Sequence, residues 1–266
     1  MILTVLVDNN TYIDKYYLGE PGVSYYIEDE GTKIIFDTGY SDIYLKNAKK
    51  MGIDVSLTDK IIISHGHNDH TGGLQYFPIP EKKPRLIAHP NILEEKECDA
   101  LKVGCPDIVL EDKFELNLTS KPLRVSPNII FLGEIERSND FENKIPVGER
   151  LLADGRKADF LIDDSALVYD SGDGIYIITG CSHAGICNII SYAKKITGRS
   201  KVKGVIGGFH LFDPDSLQTK NTIEFLKKEN ISELYPCHCT SFAARCALNE
   251  KIHVKEAGVS LKLIWE

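Results

Sequence analysis

The sequence contains no apolar run long enough to cross a membrane. Its continuous apolar segments, such as residues 129–132, have the length of a strand, whereas a spanning helix needs roughly 20 apolar residues. Residues 1–8 carry neither a basic leader nor a small-residue cleavage site, so they predict a first strand and not a signal peptide. We therefore expect no membrane partner.

Cysteine is also sparse, with seven residues scattered over 266 positions. The odd number and the wide spacing are unlike a secreted disulfide framework, which favours a reducing, cytoplasmic location. Positive charge is in deficit, because 31 lysines and arginines face 39 acidic residues and give a formal net charge of −8. That balance argues against a nucleic-acid partner, although a local basic pocket can still hold an anionic small molecule.

No repeat, low-complexity tract or flexible linker interrupts the chain. A length of 266 residues, of which 42% are hydrophobic, allows a sizeable core. We therefore interpret residues 1–266 as a single domain. The sequence leaves open whether the chain forms a homo-oligomer.

Two kinds of local pattern alternate along the chain. A hairpin is predicted from residues 23–28 and 33–36, because the glycine between them readily takes the positive φ of such a turn. A helix capped by Ser41 is predicted to end at Met51, before Gly52. The later chain alternates, with strands predicted at residues 61–63, 86–88, 129–132, 166–169, 175–179, 202–206, 234–235 and 259–264, and helices at 186–196, at 215–230 and after 235.

Hairpins mixed with strand–helix units predict an α/β fold with two packed mixed β-sheets flanked by helices on their outer faces. The continuous β-branched run at 61–63 is typical of a strand that is buried on both faces. Residues 137–160 are polar, charged and weakly periodic. We interpret them as a long loop, a feature that is commonly functional or disordered.

Four metal-competent side chains directly follow that buried strand: His65, His67, Asp69 and His70. In an extended turn His65 and His67 point to the same side, because the side-chain period is two, and can share one metal. The start of a helix then turns Asp69 and His70 toward a second metal. A polar surface loop is the alternative, but imidazoles and a carboxylate at this spacing are typical of a two-metal site for zinc, with iron or manganese as the other choices.

Further motifs resemble one enzyme family. Phe-Asp-Thr-Gly at 36–39 precedes the histidine cluster, and Thr-Gly-Cys-Ser-His-Ala-Gly at 179–185, Gly-Gly-Phe-His-Leu at 207–211 and Pro-Cys-His-Cys-Thr at 236–240 follow it. Together they resemble the metallo-β-lactamase superfamily, in the subgroup named after 7,8-dihydropterin-6-methyl-4-(β-D-ribofuranosyl)aminobenzene 5′-phosphate synthase. The resemblance implies an αββα sandwich with two divalent metal ions between its halves. It also implies that Asp37 organises residues 64–70, called the ligand loop below, by hydrogen bonding.

The sequence departs from that family in one respect. The family supplies a histidine between the first cluster and a bridging aspartate, yet this chain has no histidine between His89 and His183, and Cys181 stands where the aspartate is expected. We therefore predict that His183 completes the ligands of the first metal and that His238 caps the second. His210 is predicted to be a further ligand or a catalytic group that contacts the substrate.

Each of the later histidines has a structural alternative, since a neutral imidazole is a common hydrogen-bonding group as well as a common metal ligand. The cysteines near them are equally open to two interpretations. Cys181, Cys237 and Cys239 are either thiolate ligands or buried thiols with no role in binding.

The combined pattern predicts a metal-dependent hydrolase, in which a hydroxide activated by two metals attacks a small, phosphate-bearing substrate of the phosphoester type. Asp69 would hold a metal and orient the hydroxide, and a free imidazole such as His210 would protonate the leaving group. An anionic substrate is favoured by the resemblance and by four arginines near the expected site loops, Arg137, Arg150, Arg156 and Arg245.

Three alternative functions accompany this prediction. The resemblance also implies a condensation of a dihydropterin with a ribosyl-aminobenzene phosphate, in which the metals stabilise a pyrophosphate leaving group. An iron redox centre is the second alternative, but relatives of that kind place acidic residues in the cluster and append a flavin domain, and this chain has neither feature. A metal-binding protein without catalysis is the third, and it would saturate its metals with protein ligands.

Overall fold

The computed structural model describes all residues from Met1 to Glu266. Two large β-sheets and a small third sheet contain the strands. In chain order the strands are β1 (Ile2–Val7), β2 (Ser24–Asp29), β3 (Thr32–Phe36), β4 (Lys60–Ile62), β5 (Arg85–Ala88), β6 (Glu95–Cys98), β7 (Leu101–Lys102), β8 (Glu115–Leu118), β9 (Leu123–Arg124), β10 (Ile129–Phe131), β11 (Glu149–Leu152), β12 (Gly155–Ala158), β13 (Ala166–Asp170), β14 (Ile175–Thr179), β15 (Val202–Gly208), β16 (Glu233–Cys237) and β17 (Lys262–Ile264). The α-helices are α1 (Ile43–Lys50), α2 (Asn68–Thr71), α3 (Ile186–Thr197), α4 (Leu217–Glu229) and α5 (Phe242–Lys251).

Both large sheets are mixed. The first has seven strands in the order β17-β1-β2-β3-β4-β5-β8, and the strands from β3 to β8 in that order run parallel. The second has six strands in the order β16-β15-β14-β13-β10-β9, with β14, β15 and β16 parallel. The predicted α/β class with two mixed sheets is confirmed.

The inner faces of the two large sheets pack on one another. Phe36 and Ile62 of the first sheet share one core with Phe131, Ile178 and Ile206 of the second, and all five side chains are fully buried. Removal of this apolar surface from water is the main force that holds the two sheets together.

Separate apolar cores cover the outer faces of the sheets. Helix α1 packs on the first sheet through Tyr44 and Ala48. Helices α3, α4 and α5 pack on the second sheet through Ile189, Leu226 and Leu248. The layers therefore follow the predicted order of helix, sheet, sheet and helix.

Five strands lead into polar loops at their carboxyl ends. Asp37 follows β3, His65 follows β4, Cys181 follows β14, His210 follows β15 and His238 follows β16. Because neighbouring parallel strands end at the same edge of a sheet, these loops come together at one end of the sandwich.

The first hairpin and the first helix follow the sequence predictions. The turn between β2 and β3 contains Glu30 and Gly31, which both have positive φ, 47° and 81°. Helix α1 lies within the predicted range, but its N-cap residue is Asp42 and not the predicted Ser41, and Gly52, with a φ of 74°, lies just beyond its end. No helix of the structure combines the length and the apolar character that a membrane span requires.

Residues 137–160 do not form the long loop that the sequence predicts. Strands β11 and β12 form a hairpin in this segment and join β6 and β7 in a four-stranded third sheet, in the order β12-β11-β6-β7. All four residues of β12 are exposed, and no residue of β11 is buried. Neither strand therefore has the alternation of apolar and polar residues by which a half-buried strand is recognised in a sequence.

Candidate metal centre

Three histidines from two loops form a first group of metal-competent atoms. One ring nitrogen each of His65, His67 and His183 lies within 4.8 Å of the others. All three histidines are buried, with exposed fractions of 0%, 8% and 6%, respectively. The Nε2 atoms of all three histidines are inaccessible to solvent and have no hydrogen-bond partner within the protein. Such orphaned buried nitrogens are costly unless a further partner satisfies them, and a metal ion is a fitting one.

A second group lies directly beside the first. It consists of Asp69, His70, Cys181 and His238, whose ligand atoms are again within 4.8 Å of one another. The Cys181 Sγ is 3.1 Å from the Nε2 atoms of both His70 and His238. The Asp69 Oδ2 lies 3.5 Å from the His70 Nε2 and 3.3 Å from the His238 Nε2. Imidazole, carboxylate and thiolate are ligands that suit zinc in a tetrahedral site.

His210 joins the two groups from the side. Its ring centroid lies 4.2 Å from that of His183, and one ligand atom each of Cys181, His183 and His210 falls within 4.8 Å. The His210 Nδ1 is buried without a partner. The structure thus brings together all seven residues that the sequence singles out as ligands. It also brings in Cys181, which the sequence left open, and Cys181 and His183 each belong to two of the three groups.

A buried aspartate fixes the orientation of the ligand loop. Asp37 accepts hydrogen bonds of 2.7 Å from the Ser64 backbone amide, the Ser64 hydroxyl and the His70 Nδ1. Because an ionised carboxylate only accepts, Nδ1 of His70 carries the proton and Nε2 is left to face the group. Gly180 is needed here, since a Cβ at this position would collide with Ser64 Oγ and stand 2.8 Å from Asp37 Oδ2.

The last histidine has a similar support. The Nδ1 of His238 lies 3.0 Å from the Asn9 Oδ1, and its backbone amide donates to the Asp8 Oδ1 at 2.9 Å. An amide oxygen can only accept, so Nε2 of His238 is again the free nitrogen. The residues that orient His70 and His238 therefore come from the first sheet, whereas Cys181 comes from the second.

Several residues at the strand ends adopt a conformation that is uncommon outside glycine. Asp37, Ser182, His210 and His238 have φ values of 58°, 58°, 50° and 49°. Left-handed backbone at non-glycine residues costs energy and is concentrated at functional sites. Its occurrence at four turns around the same cluster is consistent with a site that the surrounding structure holds in place.

Burial and local charge set the protonation of the first group. Burial lowers the pKa of His65 and of His183 well below the ordinary value, with neighbouring histidines adding to the effect. Burial likewise lowers the pKa of His67 to about 4. All three imidazoles are therefore neutral at pH 7, which is the form that binds a metal.

In the second group, in contrast, neighbouring charges outweigh burial in setting the pKa values of Asp69 and His70. Burial would raise the pKa of Asp69, but the adjacent His70 and His238 outweigh it and hold this pKa well below its ordinary range. Burial would lower the pKa of His70, but Asp69 and Asp37 raise it. Burial raises the pKa of the Cys181 thiol. A cation at this group would lower the pKa of His70 and of the Cys181 thiol, so its binding would release protons from both.

Two acidic residues near the first group escaped the sequence analysis. The Asp164 Oδ1 lies 4.0 Å from the His65 Nδ1, and its Oδ2 accepts from the Ala184 amide at 2.8 Å. Burial raises the pKa of Asp164 to about 7. Glu142 accepts from the first amides of helix α3, those of Cys187 and Asn188, at 2.9 Å each. An adjacent Asp-Asp pair before strand β13 was the only signal of Asp164 in the sequence.

The cleft over the cluster is small, and neither lysine nor arginine lines it. It has a volume of about 320 Å³ and is lined by Asn9, His67, Asp69, Val147, Cys181, His183, His210, Phe212, His238, Cys239 and Ser241. A larger cavity of about 630 Å³ lies elsewhere, with Asn68 and Lys96 in its lining, and holds none of the clustered histidines. The chemistry of the smaller cleft makes it the candidate site.

The four arginines that the sequence placed near the expected site loops, Arg137, Arg150, Arg156 and Arg245, do not line this cleft. Arg150 pairs with Glu94 at 2.9 Å, and Arg156 pairs with Glu97 at 2.6 Å. Arg137 donates to the carbonyl oxygens of residues 160 and 161. Carboxylates and carbonyl oxygens thus engage three of the four arginines, and none of the four supports an anionic substrate from within this cleft.

Comparisons with known proteins agree with the geometry. The family model described as the metallo-β-lactamase superfamily matches residues 18–238. A 7,8-dihydropterin-6-methyl-4-(β-D-ribofuranosyl)-aminobenzene-5′-phosphate synthase of Methanocaldococcus jannaschii is 36% identical, over 91% of this chain and 88% of the relative. An uncharacterised protein of the same organism is 29% identical, over 94% of both chains. A crystal structure of a metal-dependent hydrolase of the β-lactamase superfamily superposes with a TM-score of 0.87 at 28% identity, over 100% of this chain and 99% of the other. The chain belongs to the metallo-β-lactamase superfamily.

Proposed function

We propose that the protein is a metal-dependent hydrolase that acts on a small molecule bound in the 320 Å³ cleft. One observation carries the proposal: the buried Nε2 atoms of His65, His67 and His183 have no partner in the protein, and one ring nitrogen of each histidine lies within 4.8 Å of the others. A purely structural cluster of histidines would satisfy its nitrogens with carbonyls or carboxylates. Unpartnered nitrogens that face one another fit a bound cation instead.

The donor set divides into two parts. His65, His67 and His183 would hold a first divalent ion. Asp69, His70 and His238 would hold a second, with the Cys181 thiolate available to both, and zinc suits this mixture of ligands better than iron or manganese does. When bound, such ions make water a good nucleophile at neutral pH and stabilise negative charge on the attacked group.

Side chains at the cleft would complete the chemistry. The Asp69 carboxylate is 28% exposed and lines the cleft, so it can accept a hydrogen bond from the attacking water and orient it. His210 lines the same cleft, so it is the residue to which we assign protonation of the leaving group. Phe212 and Val147 supply the apolar part of the lining.

A phosphoester is the substrate class that we favour. The cleft itself offers no lysine or arginine, so the positive charge that an anionic substrate needs would come from the metal ions. The family resemblance supports the same class, because the named relative's product is a phosphate ester.

A synthase reaction is the second candidate. The relative that is 36% identical over 91% of this chain carries the name of a synthase, and the same ligands can serve a condensation as well as a hydrolysis. Incubation of the metal-loaded protein with a dihydropterin that carries a pyrophosphate group and with a ribosyl-aminobenzene phosphate tests this candidate directly, because the new bond forms as pyrophosphate and a proton leave. Formation of the coupled product would favour the synthase reaction over hydrolysis.

The hydrolase proposal is tested with a panel of small substrates. Zinc-loaded protein is assayed on a phosphodiester, a phosphomonoester and a lactone, with chelator-treated protein as the control. We expect turnover of a phosphoester that stops with chelator and returns with zinc. Turnover of the lactone alone would reject the phosphoester class, and no metal-dependent hydrolysis of any member would count against the hydrolase.

A further inference from the structure

A buried ion cluster lies behind the first group of histidines. Lys96 on strand β6 is 1% exposed, and its Nζ contacts the Asp159 Oδ2 at 2.8 Å and the Asp163 Oδ1 at 3.0 Å. Both carboxylates are fully buried. One lysine thus faces two acidic groups away from solvent, in a place that no step of the proposed reaction uses.

This cluster touches the backbone of the ligand loop. The Asp163 Oδ2 accepts a hydrogen bond of 2.8 Å from the amide of Gly66, the residue between the two histidines of the first group. A Cβ on Gly66 would stand 2.9 Å from the Lys96 Cε and 2.9 Å from the Ile92 backbone oxygen. The loop therefore rests on the lysine stem and is hydrogen-bonded to its ion-pair partner.

The other carboxylate serves a different segment. The Asp159 Oδ1 accepts from the Leu161 amide at 2.8 Å, and its backbone carbonyl accepts from the Val147 amide at 2.8 Å. Asp159 makes no contact with the ligand loop among its hydrogen bonds. The two aspartates consequently share Lys96 but anchor separate parts of the chain.

Stability alone is a poor reason for such an arrangement. Two carboxylates and an ammonium group lose their hydration on burial, and apolar side chains of similar size commonly stabilise a protein as well or better. What a buried ion pair provides is a fixed geometry, because each charge requires its partner at a defined place. Here the group that the ion pair holds in place is the backbone amide of Gly66.

We propose that Lys96 and Asp163 form a positioning clamp, which holds the Gly66 backbone so that His65 and His67 meet on one metal ion. The inference rests on the proposed function, since it assigns the clamp to the first metal. In the absence of the clamp, the amide of Gly66 is free to rotate and the two imidazoles no longer converge. Outer groups that orient ligands typically contribute 10 to 100-fold to metal affinity.

The test compares Asp163→Ala with Asp159→Ala. Each variant removes one carboxylate partner of Lys96, but only the first removes the hydrogen bond to Gly66. Zinc affinity and stoichiometry are measured by competition with a chromophoric chelator, and thermal midpoints are measured on the metal-free proteins. We expect both variants to lower the midpoint, and only Asp163→Ala to weaken one of two zinc ions by about 10 to 100-fold.

A more conservative variant keeps the clamp testable if Asp163→Ala fails to fold. Asp163→Asn keeps an oxygen that can accept from Gly66, so we expect it to fold and to bind the first zinc with an affinity between those of the wild type and Asp163→Ala. Equal zinc affinities for Asp163→Ala, Asp163→Asn and the wild type would overturn the clamp alone. Equal losses of zinc affinity in Asp159→Ala and Asp163→Ala would also overturn the clamp. A wild-type protein that binds no zinc would overturn the proposed function together with the clamp.

Discussion

The Cys181 Sγ lies 3.1 Å from the His238 Nε2, although 57 positions separate the two residues in the chain. The contact joins the loop after β14 to the loop after β16, and the His70 Nε2 approaches the same sulfur at 3.1 Å. Cys181 also belongs to the group that contains His183 and His210. By strand order, this thiol stands where the family resemblance leads us to expect a bridging aspartate, and that correspondence stays a prediction.

Replacement of this thiol tests whether it is a ligand. We expect cobalt-substituted wild-type protein to show a sulfur-to-metal charge-transfer absorption that Cys181→Ser lacks, together with a loss of metal affinity of more than about tenfold. Cys246→Ser is the matched control, because that thiol is exposed and outside the cluster. Identical cobalt spectra for wild type and Cys181→Ser would show that the thiol is no ligand.

Asp69→Asn is expected to nearly abolish turnover while the fold stays intact. A neutral amide cannot supply the charge that holds the second metal, and it orients a water nucleophile poorly. Steady-state rates and a circular dichroism spectrum of the variant provide the measurement. A wild-type rate on a verified substrate would contradict the role assigned to Asp69.

The three later histidines are expected to separate into different roles. Loss of a ligand removes metal, so His183→Ala and His238→Ala should bind less zinc, whereas His210→Ala should lose turnover with a smaller loss of metal. His253→Ala is the control, since His253 lies outside all three groups. Retained stoichiometry in His238→Ala with loss in His210→Ala would mean that these two assignments must be exchanged.

Asp164 makes the stability of the metal-free protein depend on pH. Burial raises its pKa in the folded state from the ordinary 3.8 to about 7. Between these values the folded state binds more protons than the unfolded state, so this residue's contribution falls as the pH rises and is constant above the folded pKa. Asp164→Asn cannot ionise, and its amide oxygen can still accept from Ala184.

We therefore expect the thermal midpoint of metal-free wild type to decline relative to that of Asp164→Asn between about pH 4 and about pH 7. Both proteins are measured with chelator present, so that metal binding does not enter the comparison. A constant difference between the two midpoints across this range would contradict the raised pKa.

The sequence predicted the layers and the histidine cluster because both follow from local patterns. Buried strands such as β4 and β14 are continuous apolar runs, and clustered histidines after a strand need no knowledge of distant residues. The relative placement of His183 and His238 came from the family resemblance and from strand order. Their assignment to particular metals stays a prediction.

The features that the sequence did not predict depend on contacts between distant residues, which leave no local pattern in the sequence. The ion pair between Lys96 and Asp163 joins residues 67 positions apart, and each looks like ordinary surface charge in the sequence. Arg150 and Arg156 looked available for an anionic substrate, but they form ion pairs with Glu94 and Glu97. The β11–β12 hairpin was missed because its exposed residues show no apolar alternation.

The metal content of the chain tests the central claim most directly. Protein purified without chelator, and the same protein reconstituted with zinc and freed of excess, are measured by elemental analysis against protein concentration. We predict about two divalent transition-metal ions per chain, one for each group of ligands. No bound transition metal, even after reconstitution, would contradict the account.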